Sequence, residues 1–185
     1  TSGKALCWGA NEDGQLGDGT TTDRAMPVAV KNVSGVIGLA SGYRATGDQY
    51  CAIRYTGGVR CWGVGVSTPV AVTNADQVKN LSIVDGNVCL WRRHESLSRV
   101  YCAPGKDLAD FSNYVELPFV YPTGMSGSIY GGLCVADHAQ DSLWKCMDTY
   151  YGLSSSPRAA FMTSLSTSVK AFQFGDHDHS CALKD

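Results

Sequence analysis

The run YCAIRYTGGVRCWG at residues 50–63 contains Cys51 and Cys61 on either side of a Thr-Gly-Gly turn. Short apolar and polar alternation on both sides of a glycine turn predicts two antiparallel strands joined as a hairpin. The two ends of the chain contain the same phrase in two pieces, because the chain begins with TSGKALCWG and stops with HSCALKD. We therefore expect the two termini to build one hairpin together, equivalent to residues 50–63.

The eight cysteines repeat this hairpin pattern along the chain. The two cysteines of each pair are separated by 10, 13 and 12 positions in the first three pairs, and by 11 positions across the joined termini in the fourth. The recurrence predicts one disulfide for each hairpin: Cys51–Cys61, Cys89–Cys102, Cys134–Cys146 and Cys7–Cys181. Eight cysteines allow about 105 pairings, and free cysteines packed as small apolar residues are the alternative. Disulfides predict an oxidising compartment, which is periplasmic or extracellular.

The hairpins recur with a long period. The first cysteine of each pair stands at 51, 89, 134 and 181, and apolar segments that lead to glycine, such as VIGLASG at 36–42, precede the pairs. No stretch has a convincing helical periodicity. Four short strands repeated every 40–50 residues are typical of propeller blades. We expect an all-β fold: a small β-propeller, most simply of four blades, closed by pairing of the N- and C-terminal strands.

This repeat predicts a single domain over residues 1–185. The blade that contains the seam is expected to span about 169–185 plus 1–30, and the other three about 31–72, 73–120 and 121–168. Joining both termini in one blade would remove a free sheet edge. Trp8 and Trp62 occupy the same position in the repeat, so both are predicted to lie in the core.

A Trp-Gly pair at Trp8 and Gly9 is followed by the glycine-rich run GQLGDG at residues 14–19. This combination resembles the regulator of chromosome condensation repeat family, and the paired cysteines with CWG resemble its bacterial secreted branch. The resemblance is strongest from residue 172 through the joined termini to residue 42, and the glycine-rich run is missing from the later repeats. It implies a propeller, and rings of this family usually have about seven blades. Four blades would therefore form an unusually small ring or a fragment of a larger one.

Composition and motifs oppose several functions. A net charge of −2 with 17% charged residues gives no basic surface for nucleic acid, and no apolar run is long enough for direct membrane insertion. Neither a phosphate-binding loop nor a GxSxG motif occurs, so we expect no enzyme activity and no cofactor. We also expect no metal site, although His177 and His179 could share a strand face and the acidic run near Asp13 resembles a calcium loop without its terminal Glu.

The candidate ligand-binding residues are those that break the repeat, because loops on a rigid scaffold carry function. Tyrosine and tryptophan rings can stack on a sugar while polar groups bind its hydroxyls, although a tyrosine in a sheet more often packs between blades. The candidates are Tyr43, Arg44, Asp48, Trp91, Arg93, Tyr121, Tyr150 and Tyr151.

These features favour an extracellular recognition domain, a lectin-like adhesin at the tip of a larger surface protein. Its expected partner is a cell-surface glycan or a surface protein, and further segments of a parent chain could add oligomerisation. The alternative is a secreted protein-binding propeller such as an enzyme inhibitor. A flat aromatic rim that buries more than about 1,200 Å² in total would fit a protein partner, whereas a small pocket with one aromatic ring would fit a sugar.

Overall fold

The computed structural model describes residues 3–44, 47–84, 86–94, 97–104, 114–117, 119, 121–127, 132–137, 143–148, 169–174 and 180–184. All regular elements in these segments are β-strands, which confirms the all-β prediction. The strands are β1 (Leu6–Gly9), β2 (Arg24–Ala29), β3 (Val36–Arg44), β4 (Gly47–Arg54), β5 (Val59–Gly63), β6 (Val66–Ala71), β7 (Val78–Val84), β8 (Asn87–His94), β9 (Leu97–Pro104), β10 (Val115–Leu117), β11 (Pro122–Gly127), β12 (Gly132–Asp137), β13 (Leu143–Asp148), β14 (Val169–Phe174) and β15 (Ser180–Lys184). No helix long and apolar enough to cross a membrane occurs in these segments.

Strands that follow one another in the chain pair with one another, always antiparallel. The strands β3 to β6 form one four-stranded sheet, and β7 to β10 form a second. The strands β11 to β13 form a three-stranded sheet, while β1–β2 and β14–β15 form two separate pairs. Such meandering sheets are the building units of propeller blades.

The sheets stack face to face. Cys51 and Ile53 on one face of β4 pack in an apolar cluster with Leu81 from the next sheet. Ala52, on the other face of β4, packs with Val30 near the end of β2. Successive residues of a strand point to opposite faces, so β4 is buried on both sides. A third apolar cluster joins the sheet of β7–β10 to that of β11–β13.

The first strands of successive sheets lie side by side, since β3 contacts β7, β7 contacts β11 and β11 contacts β14. Gly42 of β3 faces Ile83 of β7 so closely that a Cβ atom at position 42 would collide with the isoleucine side chain. Only glycine permits this approach, which explains why the apolar strand before the first hairpin leads to a glycine. The sheets are thus arranged around a common inner edge.

Two of the expected disulfides are confirmed. Cys51 is bonded to Cys61 across β4 and β5, and Cys89 is bonded to Cys102 across β8 and β9. Cys134 is also disulfide-bonded, and the residue opposite it in the β12–β13 ladder is Cys146. Each bridge joins directly opposed residues of a hairpin, as the constant spacing predicted.

The predicted ring closure is not present in the structure. In the described residues β1 pairs only with β2 and β15 only with β14, so the sheets are not closed. Cys7 has a free, half-buried thiol, so the predicted Cys7–Cys181 disulfide is not formed in this structure. The two cysteines lie on strands of different sheets, so no shared ladder places them opposite each other.

The prediction that both repeat tryptophans lie in the core is correct for Trp62 and wrong for Trp8. Trp62 is completely buried, whereas the side chain of Trp8 is 62% exposed. The glycine-rich run at 14–19 covers Trp62, because the Trp62 indole nitrogen donates a hydrogen bond to the Gln15 carbonyl oxygen at 2.9 Å. This run covers the tryptophan of the repeat that follows it, and Trp8 belongs to the repeat that precedes it.

Candidate functional site

Three of the sequence-predicted binding residues lie at opposite ends of the stacked sheets. Tyr43 and Asp48 are directly opposed in the β3–β4 hairpin, and the Tyr43 side chain is 55% exposed. Arg93 is exposed near the end of β8, beside the beginning of β3 at Ile37. Six positions of β3 separate Ile37 from Tyr43, which corresponds to roughly 20 Å of strand. One ligand of monosaccharide size therefore cannot contact both groups.

The remaining predicted residues differ in exposure, and some lie outside the described part of the chain. Tyr121 is exposed just before β11, whereas Trp91 is half-buried and packs against the apolar cluster between two sheets. The structure describes only the backbone of Arg44, and Tyr150 and Tyr151 lie outside the described residues. Arg93 lines a cleft.

This cleft lies between the sheet of β3–β6 and the sheet of β7–β10 and has a volume of about 440 Å³. A volume of that size is within the usual range of small-molecule sites, about 300–1,000 Å³. The residues that line it include Ile37, Tyr55, Gly57, Gln77, Lys79 and Arg93.

One wall of the cleft is the turn between β4 and β5. The Gly57 amide donates a hydrogen bond to the Arg54 carbonyl oxygen at 2.7 Å, and the Tyr55 amide donates to the Gly35 carbonyl oxygen at 2.7 Å. The Cys51–Cys61 disulfide closes the same hairpin below the turn. These bonds fix the backbone of the turn, while the side chain of Tyr55 remains 73% exposed.

The other wall comes from the next sheet and is joined to the first wall by backbone hydrogen bonds. The Val78 amide at the start of β7 donates to the Gly57 carbonyl oxygen at 3.0 Å. The Arg93 amide donates to the Gln77 carbonyl oxygen at 3.2 Å. Gln77 has a φ of 52°, a left-handed conformation that is uncommon for residues other than glycine. Such backbone conformations cluster at functional sites when the surrounding structure holds them in place.

The charged groups of the cleft are cationic. Lys79 and Arg93 are both exposed, and no carboxylate in the described part of the chain forms an ion pair with either of them. The neighbouring Arg92 does have a carboxylate partner, Asp76, with 3.6 Å between Nη1 and Oδ1. The two unpaired cations therefore give this cleft a positive charge, although the whole chain has a net charge of −2.

Sequence reasoning missed Tyr55 and Lys79. Tyr55 lies in the turn of the hairpin that was used to recognise the repeat, and an aromatic residue next to Thr-Gly-Gly was the available signal. Lys79 carries no signal in the sequence, since its position beside Tyr55 depends on how two sheets stack. Contacts between sheets cannot be inferred from strand periodicity alone.

The acidic run before β2 forms a structural hydrogen-bond network. Asn11 is completely buried, and its side-chain amide donates to the Thr20 carbonyl oxygen at 3.0 Å. The Asp18 carboxylate accepts from the Thr20 hydroxyl at 2.6 Å and from Arg24 Nε at 2.8 Å. The Thr20 hydroxyl lowers the pKa of Asp18 to about 2, opposed by burial and assisted by Arg24. These bonds hold the glycine-rich run in place.

Within the described segments, no group of three or more His, Cys, Asp or Glu side chains is placed to hold a metal ion. His177 and His179, the histidines of the strand-face pattern, lie outside those segments.

Residues 2–51 match the family model described as "Regulator of chromosome condensation (RCC1) repeat". Among solved structures, the chain is similar to yeast RCC1 (Prp20), determined with Kap60 bound, with a TM-score of 0.66 and 13% sequence identity. The similarity covers 97% of this chain and 49% of that chain, so this chain spans about half the length of that relative. No curated protein matches the chain in sequence. The fold is therefore that of an RCC1-like repeat propeller.

Proposed function

We propose that this protein is an extracellular recognition domain that binds a cell-surface glycan, as a lectin-like adhesin does. The observation that carries the proposal is the cleft between two sheets, with the exposed ring of Tyr55 on one wall and polar groups on the other. An aromatic ring offers a sugar an apolar face, while a few placed polar groups fix the orientation of the ligand.

Rigidity of the cleft supports binding. Tyr55 lies on the hairpin closed by Cys51–Cys61, and Arg93 lies on the hairpin closed by Cys89–Cys102. Groups that are already ordered lose little conformational entropy when a ligand binds, which favours affinity for small polar ligands.

The disulfides also support the proposed location. The bonds Cys51–Cys61 and Cys89–Cys102 are consistent with an oxidising compartment, because thiols are kept reduced in the cytosol. Exposure at a bacterial surface is part of the proposal.

The test is binding of the purified, oxidised domain to an array of glycans that includes bacterial surface sugars. We expect a discrete set of hits that Tyr55→Ala abolishes and that Tyr43→Ala leaves unchanged. Both tyrosines are exposed, but they lie at opposite ends of β3–β4, so the pair identifies the end that binds. An empty array from folded protein would contradict the glycan proposal and favour the protein-binding alternative, such as an enzyme inhibitor.

Closure of a four-bladed ring through both termini is a further part of the proposal. In β14–β15 Gln173 is opposite Cys181, as Ala40 is opposite Cys51 in β3–β4. In β1–β2 Cys7 is opposite Val28, just as Cys61 is opposite Val70 in β5–β6. The pair β14–β15 thus has the register of the first half of a blade, and β1–β2 has that of the second half. Pairing β15 with β1 would complete one four-stranded sheet.

Thiol labelling of the native, oxidised protein tests the closure. We expect no labelled cysteine and a disulfide-linked peptide that contains Cys7 and Cys181. Alkylation of Cys7 in the folded protein would show that the strands remain apart, as they are in the structure.

A further inference from the structure

The cleft between the two sheets differs from a neutral sugar site in its charge. Lys79 projects from β7 and Arg93 from the end of β8, and both are exposed. In the described segments Lys79 and Arg93 lack a carboxylate partner, whereas Arg24, Arg92 and Arg99 have one. Arg54 and Arg60 also lack one, but each donates a hydrogen bond to a backbone carbonyl oxygen. Two cations without carboxylate partners in one concave site can bind an anionic group.

The two cations have complementary properties. The guanidinium of Arg93 can donate two parallel hydrogen bonds to a carboxylate or a sulfate, and the ammonium of Lys79 adds a compact charge with three donors. Hydrogen bonds to ionised groups are about twice as strong as those between neutral groups. An anion held by both side chains is therefore bound better than a hydroxyl group at the same place.

The opposite wall is aromatic and apolar. Tyr55 presents an exposed ring and Ile37 an exposed aliphatic side chain at the same cleft. A free inorganic anion would leave this wall unused, whereas a sugar ring would cover it. The backbone carbonyl and amide groups of the 54–58 turn are mostly bonded to one another and to neighbouring segments. The side chains, rather than the turn backbone, are therefore the groups available to a ligand.

We infer that this cleft binds a sugar residue bearing an anionic group, with the ring stacked on Tyr55 and the anion held between Lys79 and Arg93. The inference rests on the proposed glycan-binding function and names its ligand class. The anion is a carboxylate or a sulfate ester, which the same two side chains can accept.

The experiment uses calorimetric titration of the intact, oxidised domain with matched oligosaccharides. An oligogalacturonate is compared with its carboxyl-reduced, neutral form, a sialylated glycan with its desialylated form, and a sulfated glycan with its desulfated form. We expect at least one acidic member to bind 10-fold or more tightly than its neutral partner, with affinity that falls as salt is raised. The acidic member that binds identifies the source of the anion.

Variants locate the anion. We expect Lys79→Gln and Arg93→Gln each to weaken binding of the acidic ligand about 10-fold and to weaken binding of its neutral partner much less. Lys31→Gln, which removes an exposed cation near Gly19, is the control and should bind like the wild type. Far-ultraviolet circular dichroism and the urea midpoint verify that each variant is folded.

The possible failures are distinguishable. Tyr55-dependent binding of neutral glycans with no preference for the acidic forms would overturn this inference and leave the proposed function standing. Acidic binding that neither Lys79→Gln nor Arg93→Gln weakens would also overturn it. Binding of inorganic sulfate as tightly as any acidic sugar would show an anion site without sugar recognition and would overturn it too. No binding of any glycan by folded protein would overturn the proposed function itself.

Discussion

The indole nitrogen of Trp62 donates a hydrogen bond to the backbone carbonyl oxygen of Gln15, 47 positions earlier, at 2.9 Å. The Gly19 amide also donates to the Ser67 carbonyl oxygen at 2.8 Å, and the Gly65 amide donates to the Asp13 carbonyl oxygen at 2.9 Å. The glycine-rich run of one repeat is thus bonded to the outer strands of the next sheet. These contacts explain why a Trp-Gly pair and a glycine-rich run occur together in the repeat.

Replacement of Trp62 should destabilise the fold strongly. Trp62→Ala removes a completely buried indole and its hydrogen bond, so we expect a loss of about 3–5 kcal/mol in the free energy of unfolding. Trp62→Phe keeps an aromatic ring but leaves the Gln15 carbonyl oxygen without its donor, and should cost about 1–3 kcal/mol. Urea unfolding followed by circular dichroism measures both values.

Trp8→Ala is the matched control for Trp62→Ala. Trp8 is largely exposed in the structure, so its removal should cost less than about 1 kcal/mol. A cost close to that of Trp62→Ala would show that Trp8 is covered in solution, unlike its exposed position in this structure.

Gly17 is the glycine of the run at which a side chain would collide with Trp62. Its φ is +66°, and a Cβ atom there would lie 2.9 Å from Trp62 Cδ1 and 3.0 Å from Val30 Cγ1. We expect Gly17→Ala to cost about 2–4 kcal/mol, because backbone strain adds to a collision with a buried ring.

Gly65→Ala separates these two effects. Gly65 has a similar φ of +80°, but a Cβ atom there would meet nothing within 4 Å. Gly65→Ala should therefore lose only the free energy that backbone strain costs, about 1–2 kcal/mol. Equal losses of stability in the two variants would mean that packing on Trp62 does not restrict position 17.

The sequence predicted the parts of the fold that depend on neighbouring residues in the chain. The hairpin of Cys51 and Cys61 could be inferred because a turn and two strands fit between cysteines 10 positions apart. The same spacing could not show whether Cys7 and Cys181 meet, since their pairing requires the whole ring to close. The exposure of Trp8 was missed for a related reason: two equal positions in a repeat have equal burial only when both have the same neighbours.

The candidate site was less accessible to sequence reasoning. Arg93 was found because it lies in a segment that breaks the repeat, but its partners in the cleft come from another sheet. Gly57 and Val78 are joined by a backbone hydrogen bond that leaves no trace in the sequence, and this bond places Tyr55 beside Lys79. A site between stacked sheets is specified by packing, whereas a strand is specified by local periodicity.

The hairpin disulfide next to the cleft should contribute measurably to stability. Replacing both Cys51 and Cys61 with alanine releases a loop of 10 residues' separation, for which the loop-entropy model gives roughly 3 kcal/mol. We expect a lower urea midpoint for the double variant under oxidising conditions. Adding reductant should reduce the difference in urea midpoint between the wild type and the double variant. Equal urea midpoints in oxidising buffer would show that the disulfide adds no stability.

The Asp18 carboxylate should make the free energy of unfolding depend on pH in the acidic range. Its pKa is lowered from the ordinary value of 3.8 to about 2, first by the Thr20 hydroxyl, with burial opposing and Arg24 assisting. A group whose pKa is lower in the folded state binds fewer protons there than in the unfolded chain. Its contribution is therefore fully present above about pH 4 and is lost as the pH falls through about 2.

Asp18→Asn removes this contribution and tests its sign. We expect the variant to be less stable than the wild type at pH 7, with a difference that shrinks between pH 4 and pH 2, as measured by urea midpoints at each pH. Thr20→Val removes the main cause of the low pKa, so a carboxyl titration followed by nuclear magnetic resonance should show the Asp18 pKa moving toward its ordinary value. A difference between wild type and Asp18→Asn that stays constant from pH 7 to pH 2 would contradict the assignment, because a carboxylate protonated in both states can no longer favour the folded one.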